Sequence, residues 1–168
     1  MINFILAASI SSFLSGLFGV TWDSVDEKID REYPGIDFIS TAQLHQKTQD
    51  MSVEFPVLID VRKPDEFRIS HLAGAVNLET GASISKLVAD KDAAIVVYCS
   101  VGYRSAGVAA ELEDLGYSNV QNLRHSLFEW ANNDYPMVDA VGDTENVHPF
   151  NRVWGVLVEK SRHLYPSR

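Results

Sequence analysis

The clearest strand signal is the continuous apolar run Ala94-Ile95-Val96-Val97-Tyr98. It does not alternate with polar residues, which fits a strand covered on both faces of a parallel sheet. Shorter runs at Asp37-Phe38-Ile39, Val57-Leu58-Ile59, Ala75-Val76-Asn77-Leu78 and Asn119 to Leu123 read as further strands. Between them lie helical patterns. Ser40 is placed to cap a helix over Thr41 to Thr48, and Pro64 to open a short one through Glu66 and Phe67. Ser83 to Ala89 reads as a helix. Another runs from about Tyr103, with Val108, Ala109, Leu112 and Leu115 on one face and Gly116 as its stop. Ser126 to Asn132 gives the last helix of the body. Strands and helices alternate, so the expected class is α/β, with an open, mostly parallel sheet flanked by helices on both faces.

This body spans residues 36–136. Before it, Met1 to Trp22 carries no charged side chain, and a signal peptide, a membrane anchor and a packing helix are all open readings. Its small residues Ser12, Ser15, Gly16 and Gly19 would permit close helix approach. Residues 23–35 read as a charged linker. Residues 137–168 read as an extension with a helix from about Arg152 to Leu164, packed through Trp154, Leu157 and Val158 and without a chemical role. The location stays open between cytoplasmic, membrane-associated through residues 1–22, and periplasmic.

Charge narrows the partners. The formal net charge of -9 and the lack of a basic stripe argue against nucleic acid. The single cysteine excludes an internal disulfide and a CxxC redox pair. His45, His125, His148 and His163 show no metal-ligand spacing, so no metal is expected.

Cys99 sits where the clearest strand ends, followed by Ser100-Val101-Gly102-Tyr103-Arg104-Ser105 and the start of a helix. In open α/β sheets ligands bind outside the carboxyl ends of the strands. A thiol there faces loop amides and a helix N-terminus, both of which favour the thiolate. Gly102 lets the backbone curl around the sulfur, Arg104 adds a fixed cation, and Ser105 offers a hydroxyl.

The stretch Val97 to Ala106 resembles the active-site loop and following helix of the rhodanese-like family. Leu58-Ile59-Asp60-Val61-Arg62 with Glu66-Phe67, then His71 to Leu78, then Leu115-Gly116-Tyr117 with Asn119-Val120, Asn122-Leu123 and Trp130, resemble further family segments in the family's order. The resemblance implies a sulfurtransferase that moves sulfane sulfur from a donor (thiosulfate, polysulfide or persulfide) to a thiol or cyanide acceptor, including a partner protein's cysteine. It implies Cys99 as nucleophile and persulfide carrier, Ser100 to Ser105 as the substrate-binding loop, and Asp60, Arg62, Glu66 and His71 as the supporting shell. No cofactor is implied.

Two departures bear on this. Ser70 stands where glycine usually precedes His71. Arg124-His125-Ser126 stands where a glycine pair is usual, and would bring a cation near the site. The loop also lacks extra basic residues, which puts thiosulfate as the natural donor in question. The alternatives are a redox or persulfide sensor, an interaction module, and a phosphatase or arsenate reductase. Against the phosphatase stands the C-x4-R spacing of Cys99 and Arg104, one residue shorter than a phosphate cradle.

Overall fold

The computed structural model describes residues 19–50, 52 and 54–166. The apolar segment up to position 18 lies outside the described residues. No helix among those described is long and apolar enough to cross a membrane.

The main sheet has five parallel strands: β1 (Phe38–Ile39), β2 (Val57–Asp60), β3 (Val76–Asn77), β4 (Ile95–Tyr98) and β5 (Val120–Leu123), in the order β1-β5-β4-β2-β3. The central β4 pairs with β2 through Ile59↔Val97 and with β5 through Val97↔Asn122. Its side chains alternate between two cores, as the two-residue strand period requires. Ile95, Val97 and Cys99 pack with Ile84 of α4 (Gly81–Leu87) and with Val108, Ala109 and Leu112 of α5 (Tyr103–Asp114). Val96 and Tyr98 face the opposite core, built by α1 (Trp22–Glu32), α2 (Thr41–Gln49) and α6 (Ser126–Asn132). Each fully buried aliphatic side chain in these layers contributes about 1.5–3 kcal/mol. The sheet is thus covered on both faces, as the apolar runs predict. A short α3 (Pro64–Ile69) follows β2, and β6 (Met137–Val138) pairs with β7 (Asp143–Thr144) as a small antiparallel ribbon.

Two flanking segments differ from their sequence reading. The charged stretch after Trp22 is the helix α1. Thr21 caps it, and Val25 and Ile29, one turn apart, are both buried. The surrounding charges form its solvent face and conceal that narrow apolar stripe. The extension holds two single-turn 3-10 segments, Trp154–Leu157 and Lys160–Arg162, instead of one α-helix. Val153, Gly155, Val156 and Val158 are weak helix formers. Asn132 of α6 also captures the Leu157 carbonyl (2.8 Å) and the Glu159 amide (3.1 Å), and Val158 is extended. The packing residues are as expected: Leu157 and Val158 are buried, and Trp154 packs partly buried against the same core.

β2 and β4 are neighbours whose following connections lead to opposite sides of the sheet, β2 to β3 and β4 to β5. The crevice at such a switch point is where α/β sheets place ligands. Asp60 ends β2 there and Cys99 follows β4.

Candidate active site

Cys99 is buried, and its sulfur accepts a hydrogen bond from the Gly102 amide at 3.2 Å. That geometry needs Gly102 at φ +98, in the left-handed region that residues other than glycine rarely adopt. Asn122 fixes the turn from below by donating to the Gly102 carbonyl at 2.9 Å. Burial alone would raise the thiol pKa. The Arg104 charge, the Ser105 hydroxyl and amide, and the Val101 amide outweigh it and hold the thiol below its ordinary 9.0. Ser105 Oγ has no hydrogen bond of standard geometry, so it acts as a nearby dipole and not as a formed bond. The result is a thiol inclined to ionise at the start of a helix.

Two arginine–carboxylate pairs support the loop. Arg104 forks onto Glu66, Nη1 to Oε2 at 2.9 Å and Nη2 to Oε1 at 2.7 Å, and Nη2 also donates to Ser100 Oγ at 3.1 Å. Burial opposes ionisation of Glu66, but the Arg104 guanidinium wins and keeps its carboxyl below the usual range. Behind this pair Arg62, fully buried, donates to Asp60 at 2.6–3.1 Å and to the Ser70 carbonyl at 2.5 Å. Arg62 and Asp60 do not line the cavity that reaches the sulfur. They fix the ends of β2 and α3, and the Lys63 amide that follows Arg62 donates to Glu66 Oε2 at 3.1 Å.

The Arg124-His125-Ser126 stretch departs from the sequence expectation. His125 and Ser126 adopt φ +57 and +47, a backbone that glycine takes without strain, which explains why glycine is usual there. Ser126 compensates through its hydroxyl, which accepts from the Cys99 amide (3.1 Å) and donates to the Leu123 carbonyl (2.8 Å). The expected cation near the sulfur is not there. Arg124 turns toward α1, where it meets Asp26 at 3.2 Å and lies over the Phe38 ring. His125 stacks on Trp22 and bridges Asp26 and Glu129. At Ser70 the backbone is simply extended (φ -168), so glycine is not needed.

Tyr103 lines the cavity, while its hydroxyl donates to Glu32 of α1. His71 lies away from it. Its Nδ1 meets the Phe67 carbonyl at 3.0 Å, its ring stacks on Phe67, and its backbone bridges Val138. Sequence reasoning missed the far wall. The cavity over Cys99, about 210 Å³, is closed opposite the loop by Phe150 and Trp154 of the extension, and the Phe150 ring lies 4.7 Å from the Arg104 guanidinium. Nothing in the spacing of these two residues ties them to position 99. It also missed Ser126 and Asn122 as supports of the loop, although Asn122 lies in β5, beside β4, and Ser126 opens α6 just after it.

The chain matches the family model of the Rhodanese-like domain over residues 40–133. It belongs to that family. Thiosulfate sulfurtransferase GlpE of Pseudomonas fluorescens is 33% identical to this rhodanese-like chain over 102 residues, covering 60% of the chain and 92% of that protein. A sulfurtransferase of Allochromatium vinosum is 31% identical over 110 residues, covering 64% and 99%. The crystal structure of a rhodanese-related protein from Thermoplasma volcanium superposes with a TM-score of 0.51 at 25% identity, over 61% of this chain and 97% of that one. The rhodanese-like match ends before Phe150 and Trp154, so the far wall of the cavity lies outside it.

Proposed function

We propose that this rhodanese-type sulfurtransferase carries sulfane sulfur on Cys99 as a persulfide, taking it from a small sulfur donor and giving it to a thiol or cyanide acceptor. The observation that carries the reading is the thiol itself, which is buried, hydrogen-bonded by the Gly102 amide and lowered in pKa beside Arg104. The Cys99 thiolate attacks the outer sulfur of the donor. A new S–S bond forms at Cys99, the donor's own bond to that sulfur breaks, and the electron pair leaves with the donor remainder. From thiosulfate, named in relatives of this chain, that remainder would be sulfite. The acceptor then attacks the outer persulfide sulfur, and the pair returns to Cys99. This is covalent catalysis in two half-reactions. The Gly102 amide, by its hydrogen bond, and Arg104, by its nearby charge, are placed to stabilise the persulfide anion. A phosphoryl reading fits less well, because the Nη1–Nη2 edge of Arg104 forks onto Glu66 and Nη2 gives its other hydrogen to Ser100 Oγ, which leaves no free fork for a phosphate.

Intact mass after incubation with polysulfide tests the proposal. Expected is a gain of one sulfur atom, reversed by cyanide and absent in Cys99→Ser. A reduced, accessible Cys99 that gains no sulfur from any donor would overturn it.

A further inference from the structure

The cavity over Cys99 has a wall that the family match does not include. We propose that Phe150 and Trp154 are specificity-determining residues, selecting donors whose sulfane sulfur is carried beside an aromatic or alkyl group over the thiosulfate dianion. The inference rests on the sulfurtransferase reading and names the substrate class of the same site.

Both rings are held in place. Phe150 adopts φ +62, unfavourable for a bulky side chain, and its amide donates to His148 Nδ1 at 3.1 Å. The Asn151 side chain accepts from the Val153 and Trp154 amides at 2.9 and 3.0 Å and starts the turn that carries Trp154. Gly155 lies so close to Pro149 that a Cβ would meet the proline ring carbon at 3.0 Å. Asn132 ties the end of that turn to α6. Phe150 remains 41% exposed, so its ring stands at the mouth of the cavity and not inside the core.

The charges of the site argue in the same direction. Arg104 spends its fork on Glu66 and one face on Phe150. Arg62 is buried against Asp60. Two guanidinium groups are thus balanced by two carboxylates, and ionised Cys99 makes the site net negative. A dianion entering it meets a thiolate and aromatic walls, with no uncommitted cation in the lining among the described residues to replace its water. An aryl or alkyl group beside the sulfur loses little water and gains contact with both rings. With an arylthiosulfonate the step balances: the Cys99 thiolate takes the outer sulfur as a persulfide anion, and the arylsulfinate leaves with the electron pair of the broken S–S bond.

The test measures thiocyanate formation by the full chain from benzenethiosulfonate and from thiosulfate, with cyanide as acceptor. The readout is the ratio of the two kcat/KM values, which cancels any general loss. Phe150→Ala with Trp154→Ala is expected to lower the ratio by roughly tenfold or more, the scale of discrimination that apolar pocket contacts supply. Phe150→Leu, which keeps an apolar wall, is expected to lower it less. A ratio unchanged in the double variant, or both donors falling in step, would overturn the proposal. Loading of the same proteins by polysulfide, followed by intact mass, separates this outcome from failure of the underlying reading. A chain that loads sulfur but shows no ratio change loses only the specificity wall, whereas one that never loads loses both.

Discussion

On the inner side of the Cys99 cavity stands a strand-to-helix loop set by backbone amides, a left-handed glycine and two arginine–carboxylate pairs. On the outer side stand two aromatic rings carried by a chain of tight turns. The inner side lies within the family-matched residues and the outer side does not. The inner groups act on the sulfur through charge and hydrogen bonds, so any donor meets them. The outer groups offer apolar surface, which discriminates by what the sulfur is attached to. Reactivity and selection are therefore separable in this chain, and changes on the two sides should read differently.

The largest effect belongs to the nucleophile. Cys99→Ser should cut thiocyanate formation by roughly 10³-fold or more with every donor, and a residual rate near wild type would show that another group carries the sulfur. Next comes the buried pair beneath the loop. Asp60→Ala leaves Arg62 without its counter-ion at 0% exposure, and should cost about 3–5 kcal/mol in urea unfolding. A loss below about 1 kcal/mol would mean the pair is not the anchor described.

Arg104→Met removes the charge that offsets burial of the thiol. The Cys99 pKa should then rise, and each unit of rise lowers the thiolate fraction at neutral pH about tenfold. The pH profile of iodoacetamide alkylation reads this directly, and an unmoved profile would leave the loop amides and the Ser105 hydroxyl as the cause. The benzenethiosulfonate-to-thiosulfate ratio should not fall, because both rings stay in place and loss of a cation penalises the thiosulfate dianion more than the aryl monoanion.

The smallest effect is at His125, remote from the sulfur. Burial would lower its pKa, but Glu129 and Asp26 raise it above the ordinary 6.5. The fold favours the protonated ring, so the stabilisation is fully present below the ordinary value and is lost as pH rises through the raised one. The melting temperature should therefore fall by a few degrees across that window, and His125→Asn should flatten this part of the profile. An unchanged profile in the variant would remove the Asp26–His125–Glu129 bridge as its cause.

The inner side was largely legible in the sequence. Apolar runs at Val57 and Ala94 are enough to place Asp60 and Cys99 each at a strand end, because a parallel sheet buries continuous runs and exposes its carboxyl ends, and the resemblance puts Asp60 near the loop; that the two strands are neighbours is seen in the structure. The Glu66–Arg104 and Asp60–Arg62 pairings were expected only as a shell, since spacing in sequence does not say which carboxylate meets which guanidinium. His71 was grouped with them and belongs instead to the β6 contact. The helix α1 was hidden because Val25 and Ile29 alone carry its buried stripe. The outer wall was not legible at all. Phe150 and Trp154 reach the cavity through a positive-φ turn and the Asn151 side chain that starts the next one, and neither leaves a periodic signal.

The central claim is that Cys99 holds the sulfur between two separable half-reactions. Protein loaded with polysulfide, freed of donor and then mixed with cyanide should release about one equivalent of thiocyanate per chain and return to its original mass, as a covalent intermediate requires. Thiocyanate appearing only while donor and cyanide are present together would contradict the account.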